Sequence, residues 1–204
     1  HPVAAQAPAQ EATTGVGTRP GSRSERSRRI VPIMGGVIRD AVPADDAAAI
    51  ARIYAHYVAH DTVTFETAEV SADEMWARIA RVQERGLPWI VAERDDAVVG
   101  YAYAAPFRDR AAYRYTLEST IYLDASMRRE GLGTELYGAL LGRLRGLADP
   151  AHAPVHSVIG VIALPHPGSV ALHERLGFAH VGTVRDAGFK LDRWIDVGYW
   201  QLML

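Results

Sequence analysis

Tyr115-Thr116-Leu117-Glu118-Ser119-Thr120-Ile121-Tyr122-Leu123, followed by Arg128-Arg129-Glu130-Gly131-Leu132-Gly133-Thr134, decide how this chain reads. The first stretch alternates. Leu117, Ser119, Ile121 and Leu123 fall on one face of a strand, and Thr116, Glu118, Thr120 and Tyr122 on the other. The second is a glycine-punctuated turn that leads into a helix expected from about Gly133 to Leu147. Amides at a helix start have no acceptor within the helix, and the dipole there favours an anion. Gly131 and Gly133 let the backbone come close to a ligand, and Arg128 and Arg129 add positive charge, so the turn reads as a diphosphate cradle. A dinucleotide fingerprint would need a third glycine where Leu136 stands, and a Walker loop would need Lys-Ser or Lys-Thr after the glycines. Neither fits.

Working outward, Val37-Ile38-Arg39 reads as a first strand, and Pro43 starts a helix over Ala44 to Ala59 with Ile50, Ile53, Tyr54, Tyr57 and Val58 on one face. Ser71-Ala72-Asp73-Glu74 has the spacing of a capping box, so a second helix is expected from Ser71 to about Arg85, stopped by Gly86 and Pro88. Trp89 to Glu93 and Val98 to Ala105 form a hairpin signal around Arg94-Asp95-Asp96. Beyond a loop bracketed by Pro150 and Pro154, Val155 to Ala163 reads as strand and Gly168 to Leu176 as a short helix. Phe178 to Leu204 alternates as two antiparallel strands joined by a long loop. The order βααβββαβαββ is that of an α+β domain with a mixed sheet.

The 204 residues, 49% hydrophobic and with a net charge of -2, suit one domain and give no global attraction for nucleic acid or an acidic membrane surface. Cysteine is absent, which excludes disulfides, a thiolate nucleophile and a cysteine zinc site. The eight histidines include no HExxH pair, and no apolar run is long enough for a membrane span. Residues 1–35 are rich in Ala, Gly, Pro, Ser and Arg and are expected to be a disordered or non-native tail, with the folded domain at 36–204. The segment lacks the apolar core of a signal peptide. Its Arg23, Arg26, Arg28 and Arg29 fit either a solvated tail or a nucleic-acid arm. Met34 is a candidate initiator, which an intact mass of the native protein would test.

Arg128-x-x-Gly131-x-Gly133 resembles the acetyl-CoA signature of the GNAT superfamily of N-acetyltransferases, R/Q-x-x-G-x-G/A. Three further stretches are similar to the phosphinothricin and methionine sulfoximine acetyltransferases: Ala112 to Tyr122, Leu164 to Phe178, and Gly188 to Lys190 with Trp194 to Leu202. The resemblance runs from about Ile38 to Leu202. It implies a GNAT fold, with a mixed, mostly antiparallel sheet flanked by helices and splayed strands that take the CoA arm. It further implies acetyl-CoA as co-substrate, no metal, a small amino-acid-like acceptor, a homodimer and a cytoplasmic setting.

The same resemblance assigns roles. Ile121, Tyr122 and Leu123 would pair with the pantetheine arm, and Arg128, Arg129, Glu130, Gly131, Leu132, Gly133 and Thr134 would hold the diphosphate. His166 stands where the family carries Asn, so altered CoA affinity is expected, although imidazole can still hydrogen-bond. Glu118 would be the general base, because an ammonium must lose a proton before it can attack a thioester. By position alone it reads as a solvated strand carboxylate, and it is the surrounding motif that makes it the base. His173 would serve the departing sulfur or the amine, against a plain helix-surface histidine; Tyr137 is a weaker candidate that also fits core packing. Arg108 and Arg110 would anchor acidic groups of the acceptor, against a plain charged loop, with Phe65, Tyr113 and Thr116 around them; the two aromatics also fit core packing. Acetylation of another amine, such as a peptide N-terminus, and a non-catalytic acyl-CoA sensor are the competing functions.

Overall fold

The computed structural model describes residues 30–127, 131–147 and 154–204. The expectations for the arginines of residues 1–29, for Arg128, Arg129 and Glu130, and for the loop near Pro150 lie outside the described residues. The elements are β1 (Val31–Ile33), β2 (Gly36–Asp40), α1 (Pro43–His60), α2 (Ala72–Glu84), β3 (Trp89–Arg94), β4 (Ala97–Pro106) and β5 (Thr116–Leu123). They continue as α3 (Leu132–Arg145), β6 (Ser157–Leu164), α4 (Pro167–Arg175), β7 (Ala179–Lys190) and β8 (Arg193–Met203). The strands form one sheet in the order β1-β2-β3-β4-β5-β6-β8-β7. Among the described residues only β5 and β6 run parallel, so the sheet is mixed and mostly antiparallel, as expected.

Local chemistry accounts for most boundaries. Pro43 opens α1, whose Ile50, Ile53, Tyr54, Tyr57 and Val58 are buried along one face. Ser71 caps α2 by accepting the Glu74 N–H at 3.1 Å. Only half the capping box forms, because the Glu74 carboxylate accepts from Arg78 at 3.0 Å. The β3–β4 turn is made by Asp95 and Asp96 at φ 48 and 58, the left-handed pair that suits a two-residue hairpin.

Two expectations need correction. β1 falls within the segment expected as tail, and it pairs with β2 through Val31↔Ile38 and Ile33↔Gly36. Its three residues are too few to show a period in the sequence. The long loop expected before β8 is instead a two-residue turn, Leu191-Asp192 at φ 50 and 58, joining strands of 12 and 11 residues. Asp186-Ala187-Gly188 has loop composition, yet it forms a bulge where the register slips between Val184 and Gly188. The Lys190 ammonium at the hairpin tip donates to the Thr64 carbonyl at 2.8 Å and to that of Tyr57 at 3.2 Å, tying the hairpin to the last turn of α1 and the chain after it.

Apolar clusters fill both sides of the sheet. On one, α3 buries Leu132, Leu136, Leu140 and Leu141 with Ile90, Leu117, Val158 and Phe178. On the other, α1 and α2 bury Ile50, Ile53, Met75 and Ile79 against Trp89, Val91 and Tyr101. The feature that matters for function lies between them. β5 pairs with β6 only from Thr116↔Ser157 to Ser119↔Gly160, although β5 continues to Leu123 and β6 to Leu164. Beyond Ser119 the two strands part.

Candidate active site

A cleft of about 880 Å³ runs through this parting, lined from both faces of the sheet. On the α3 and α4 side its wall includes Leu123, Gly131, Gly133, Thr134, His166 and Leu172. On the α1 and α2 side it includes Tyr54, Phe65, Glu66, Arg78, Tyr103 and Tyr122. Glu118 and Ser119 alternate in direction along β5, yet both reach the cleft because the sheet opens beside them.

The cradle is built by backbone. Gly131 caps α3 at φ 78, a conformation that costs glycine little, and the helix then begins at Leu132 and Gly133, whose amides have no helical acceptor. Leu132, expected to help hold the diphosphate, is fully buried and outside the cleft wall, so Gly131, Gly133 and Thr134 present the turn to a ligand. A Cβ on Gly133 would rest 3.5 Å from both Leu123 and Leu172. His166 is the N-cap of α4, with Nδ1 accepting the Ser169 N–H at 3.0 Å. That cap commits one ring nitrogen and leaves the other for the cleft. Pro167 takes the first helical position, one residue before the start expected at Gly168.

Glu118 is half-buried, and burial pushes its carboxyl above the ordinary value while the nearby Arg108 charge opposes the shift. His173 is 4% exposed. Its Nδ1 lies 2.8 Å from the Ser169 carbonyl and its Nε2 lies 3.0 Å from the Tyr137 hydroxyl. Tyr137 is also 2.7 Å from Ser119 Oγ. Burial holds the His173 imidazole below its usual pKa, so it is neutral near pH 7. The packing expectation for Tyr137 is met, since it is buried against Phe178, and its hydroxyl joins a polar chain as well.

Phe65 lines the cleft, lying against Gly188 of the β7–β8 hairpin. Four other residues expected around the acceptor stand outside the wall. Arg108 sits over the Phe107 ring at 4.1 Å, Arg110 precedes a short helical turn, and Tyr113 meets Phe107 edge-on. Thr116 is within 3.1 Å of Ser157 Oγ where β5 and β6 are still paired. The cation that reaches the α1 and α2 side of the wall is Arg78, which sequence reading passed over. It donates to Glu66 at 2.6 Å and 3.3 Å, and Glu66 also accepts from Tyr54 at 3.1 Å. Arg78 lies one helical turn after Glu74, on a helix whose composition reads as an ordinary solvated face.

The profile of the acetyltransferase (GNAT) domain matches residues 40–198 of the chain. The chain is 43% identical over 164 residues to a phosphinothricin N-acetyltransferase of Streptomyces viridochromogenes, covering 80% of this chain and 85% of the relative. It is 31% identical to an L-methionine sulfoximine/L-methionine sulfone acetyltransferase of Salmonella typhimurium, covering 78% and 90%. The crystal structure of a phosphinothricin acetyltransferase from Sinorhizobium meliloti in complex with acetyl-CoA superposes with a TM-score of 0.78 at 39% identity, covering 84% and 89%.

Proposed function

This chain belongs to the GNAT acetyltransferase family, and from that membership we propose that it transfers an acetyl group from acetyl-CoA to the α-amine of a small amino acid of the phosphinothricin or methionine sulfoximine type. The observation that carries this reading is the cleft that pierces the sheet where β5 and β6 part. Acetyl-CoA enters from the α3 side, where the amides of Gly131 and Gly133 favour a diphosphate and the edge of β5 that β6 leaves beyond Ser119 can pair with an amide-bearing arm. At the end of that edge the Leu123 carbonyl already accepts from the Tyr57 hydroxyl at 2.6 Å. The acceptor enters from the α1 and α2 side. Glu118 stands at the opening and takes a proton from the ammonium, directly or through one water. Arg78, held in place by Glu66 and Glu74, offers its remaining N–H groups to the acceptor carboxylate. The cytoplasm, where acetyl-CoA is available, is the setting this reading requires.

Thiol release from acetyl-CoA, measured with phosphinothricin, methionine sulfoximine, a simple amine and a peptide N-terminus, tests the reading. Turnover confined to the first two supports it. Turnover of the peptide instead would move the substrate class, and binding without turnover would leave an acyl-CoA sensor. Arg78→Met should raise the acceptor KM roughly 10- to 100-fold, the scale of a lost charge-assisted bond, with acetyl-CoA KM unchanged. An unaltered acceptor KM would remove Arg78 from the site.

The reading extends to a homodimer. The β7–β8 hairpin exposes Val184, Phe189, Leu191 and Trp194, an apolar surface suited to a second copy. Sedimentation should give twice the chain mass, and Trp194→Glu should return it to the monomer. A wild-type protein that sediments as a monomer at micromolar concentration would end this extension.

A further inference from the structure

His173 cannot meet a substrate nitrogen through a free ring atom, because both its ring nitrogens are engaged inside the protein. Its neighbours form a continuous chain: Ser169 carbonyl, His173, Tyr137, Ser119 and Ile159 carbonyl, at spacings of 2.8, 3.0, 2.7 and 3.3 Å. Tyr137 is fully buried and His173 and Ser119 nearly so. Ser119 lines the cleft at the last paired position before β5 and β6 part. The chain therefore meets the cleft at Ser119, where the sheet opens, and again at the His173 ring, whose two nitrogens are turned to protein partners.

The chain is one hydrogen short of filling its contacts. The two carbonyls can only accept, so His173 Nδ1 must carry a hydrogen toward Ser169. Ser119, Tyr137 and a neutral His173 supply three hydrogens for the four contacts. At rest Tyr137 donates to His173 Nε2, and the single Ser119 hydrogen serves either the Ile159 carbonyl at 3.3 Å or the Tyr137 oxygen at 2.7 Å. One of these two contacts is therefore short of a hydrogen, and Ser119 keeps a lone pair that can accept from the cleft. One added proton fills all four contacts.

We propose that Ser119, Tyr137 and His173 form a relay that carries a proton from the nitrogen of the acyl adduct to the departing sulfur. This rests on the acetyl-transfer reading. After Glu118 has taken the first proton of the ammonium, the amine attacks and forms the N–C bond, and the adduct nitrogen still carries one proton too many. Ser119 Oγ accepts it, passes its own hydrogen to Tyr137, and Tyr137 passes its hydrogen to His173 Nε2. The C–S bond then breaks, and the same hydrogens move back so that Ser119 protonates the thiolate. The relay ends as it began, and the net proton of the reaction leaves through Glu118. Ser119 is the group that touches the reacting atoms; Tyr137 and His173 are positioning residues that act through it.

The test is single-turnover acetylation of the acceptor that the protein turns over best, followed in mixtures of light and heavy water. Wild-type protein should give a bowed dependence of rate on deuterium fraction, because several protons move together. Tyr137→Phe keeps the ring and its packing. It should slow the step more than about 10-fold, leave acetyl-CoA KM within about threefold, and straighten the dependence to that of one proton. A merely structural role would lower the rate and leave the bow in place. A straight line for wild type, or an unchanged rate in Tyr137→Phe, overturns the relay. If wild-type protein acetylates no amine at all, the acetyl-transfer reading falls and the relay with it.

Discussion

Replacing Glu118 by Gln should lower kcat/KM for the acceptor by about 10²- to 10⁴-fold, the usual contribution of a positioned general base. Gln has the same shape and cannot take a proton. In wild-type protein kcat/KM should rise with pH as Glu118 ionises, and that limb should lie above the ordinary carboxylate range because burial disfavours the charged form. In Glu118→Gln the limb should vanish, leaving only the rise that follows proton loss from the amine itself. The stability change has a definite sign. A carboxyl whose folded pKa is raised binds its proton more tightly in the native state, so its favourable term is complete at acid pH and is lost as pH climbs through the raised value. At neutral pH the substitution should therefore leave the melting temperature equal or higher, which separates lost chemistry from lost fold. Turnover within threefold of wild type, with the limb intact, would place the base elsewhere.

Gly160→Ala should remove most of the turnover through a single methyl group. Gly160 lies in β6 between Ser119 of β5 and Trp200 of β8, and a Cβ there would run into the His173 ring. Either the imidazole turns away, breaking its contacts to Tyr137 and Ser169, or α4 shifts outward and carries His166 with it. Overpacking of this kind costs about 1–3 kcal/mol, so the melting temperature should fall by several degrees. The rate should fall more than about 10-fold, since the polar chain ends at the displaced ring. Thermal unfolding of the pair Gly160→Ala and His173→Ala checks the cause. If the methyl acts through the ring, the double variant should be more stable than the sum of the two losses, because the methyl then occupies the space that the imidazole left. Strictly additive losses would assign the effect to the backbone of β6.

Much of the chain could be read from one dimension, because local chemistry sets it. Alternation along β5 placed Glu118 and Ser119 on opposite faces, Pro43 and Ser71 marked helix starts, and Gly131 marked the turn that opens α3. These signals depend on neighbours a few residues away. Composition was misleading where tertiary pairing overrode it: Asp186-Ala187-Gly188 looks like a loop and is a bulge within a paired strand, and Val31–Ile33 looks like tail and is an edge strand. What only the folded chain decided is which side chains share the opening. Arg108 and Arg110 have the right chemistry for an anchor but lie in the link before β5, outside the cleft wall, whereas Arg78 reaches it from a helix turn that reads as solvated. Tyr137 and His173 are 36 residues apart in sequence, and Gly160 had no mark of function until the imidazole was found lying against it. No local window encodes such meetings, because they depend on where β5 and β6 stop pairing and how α3 and α4 pack across the gap.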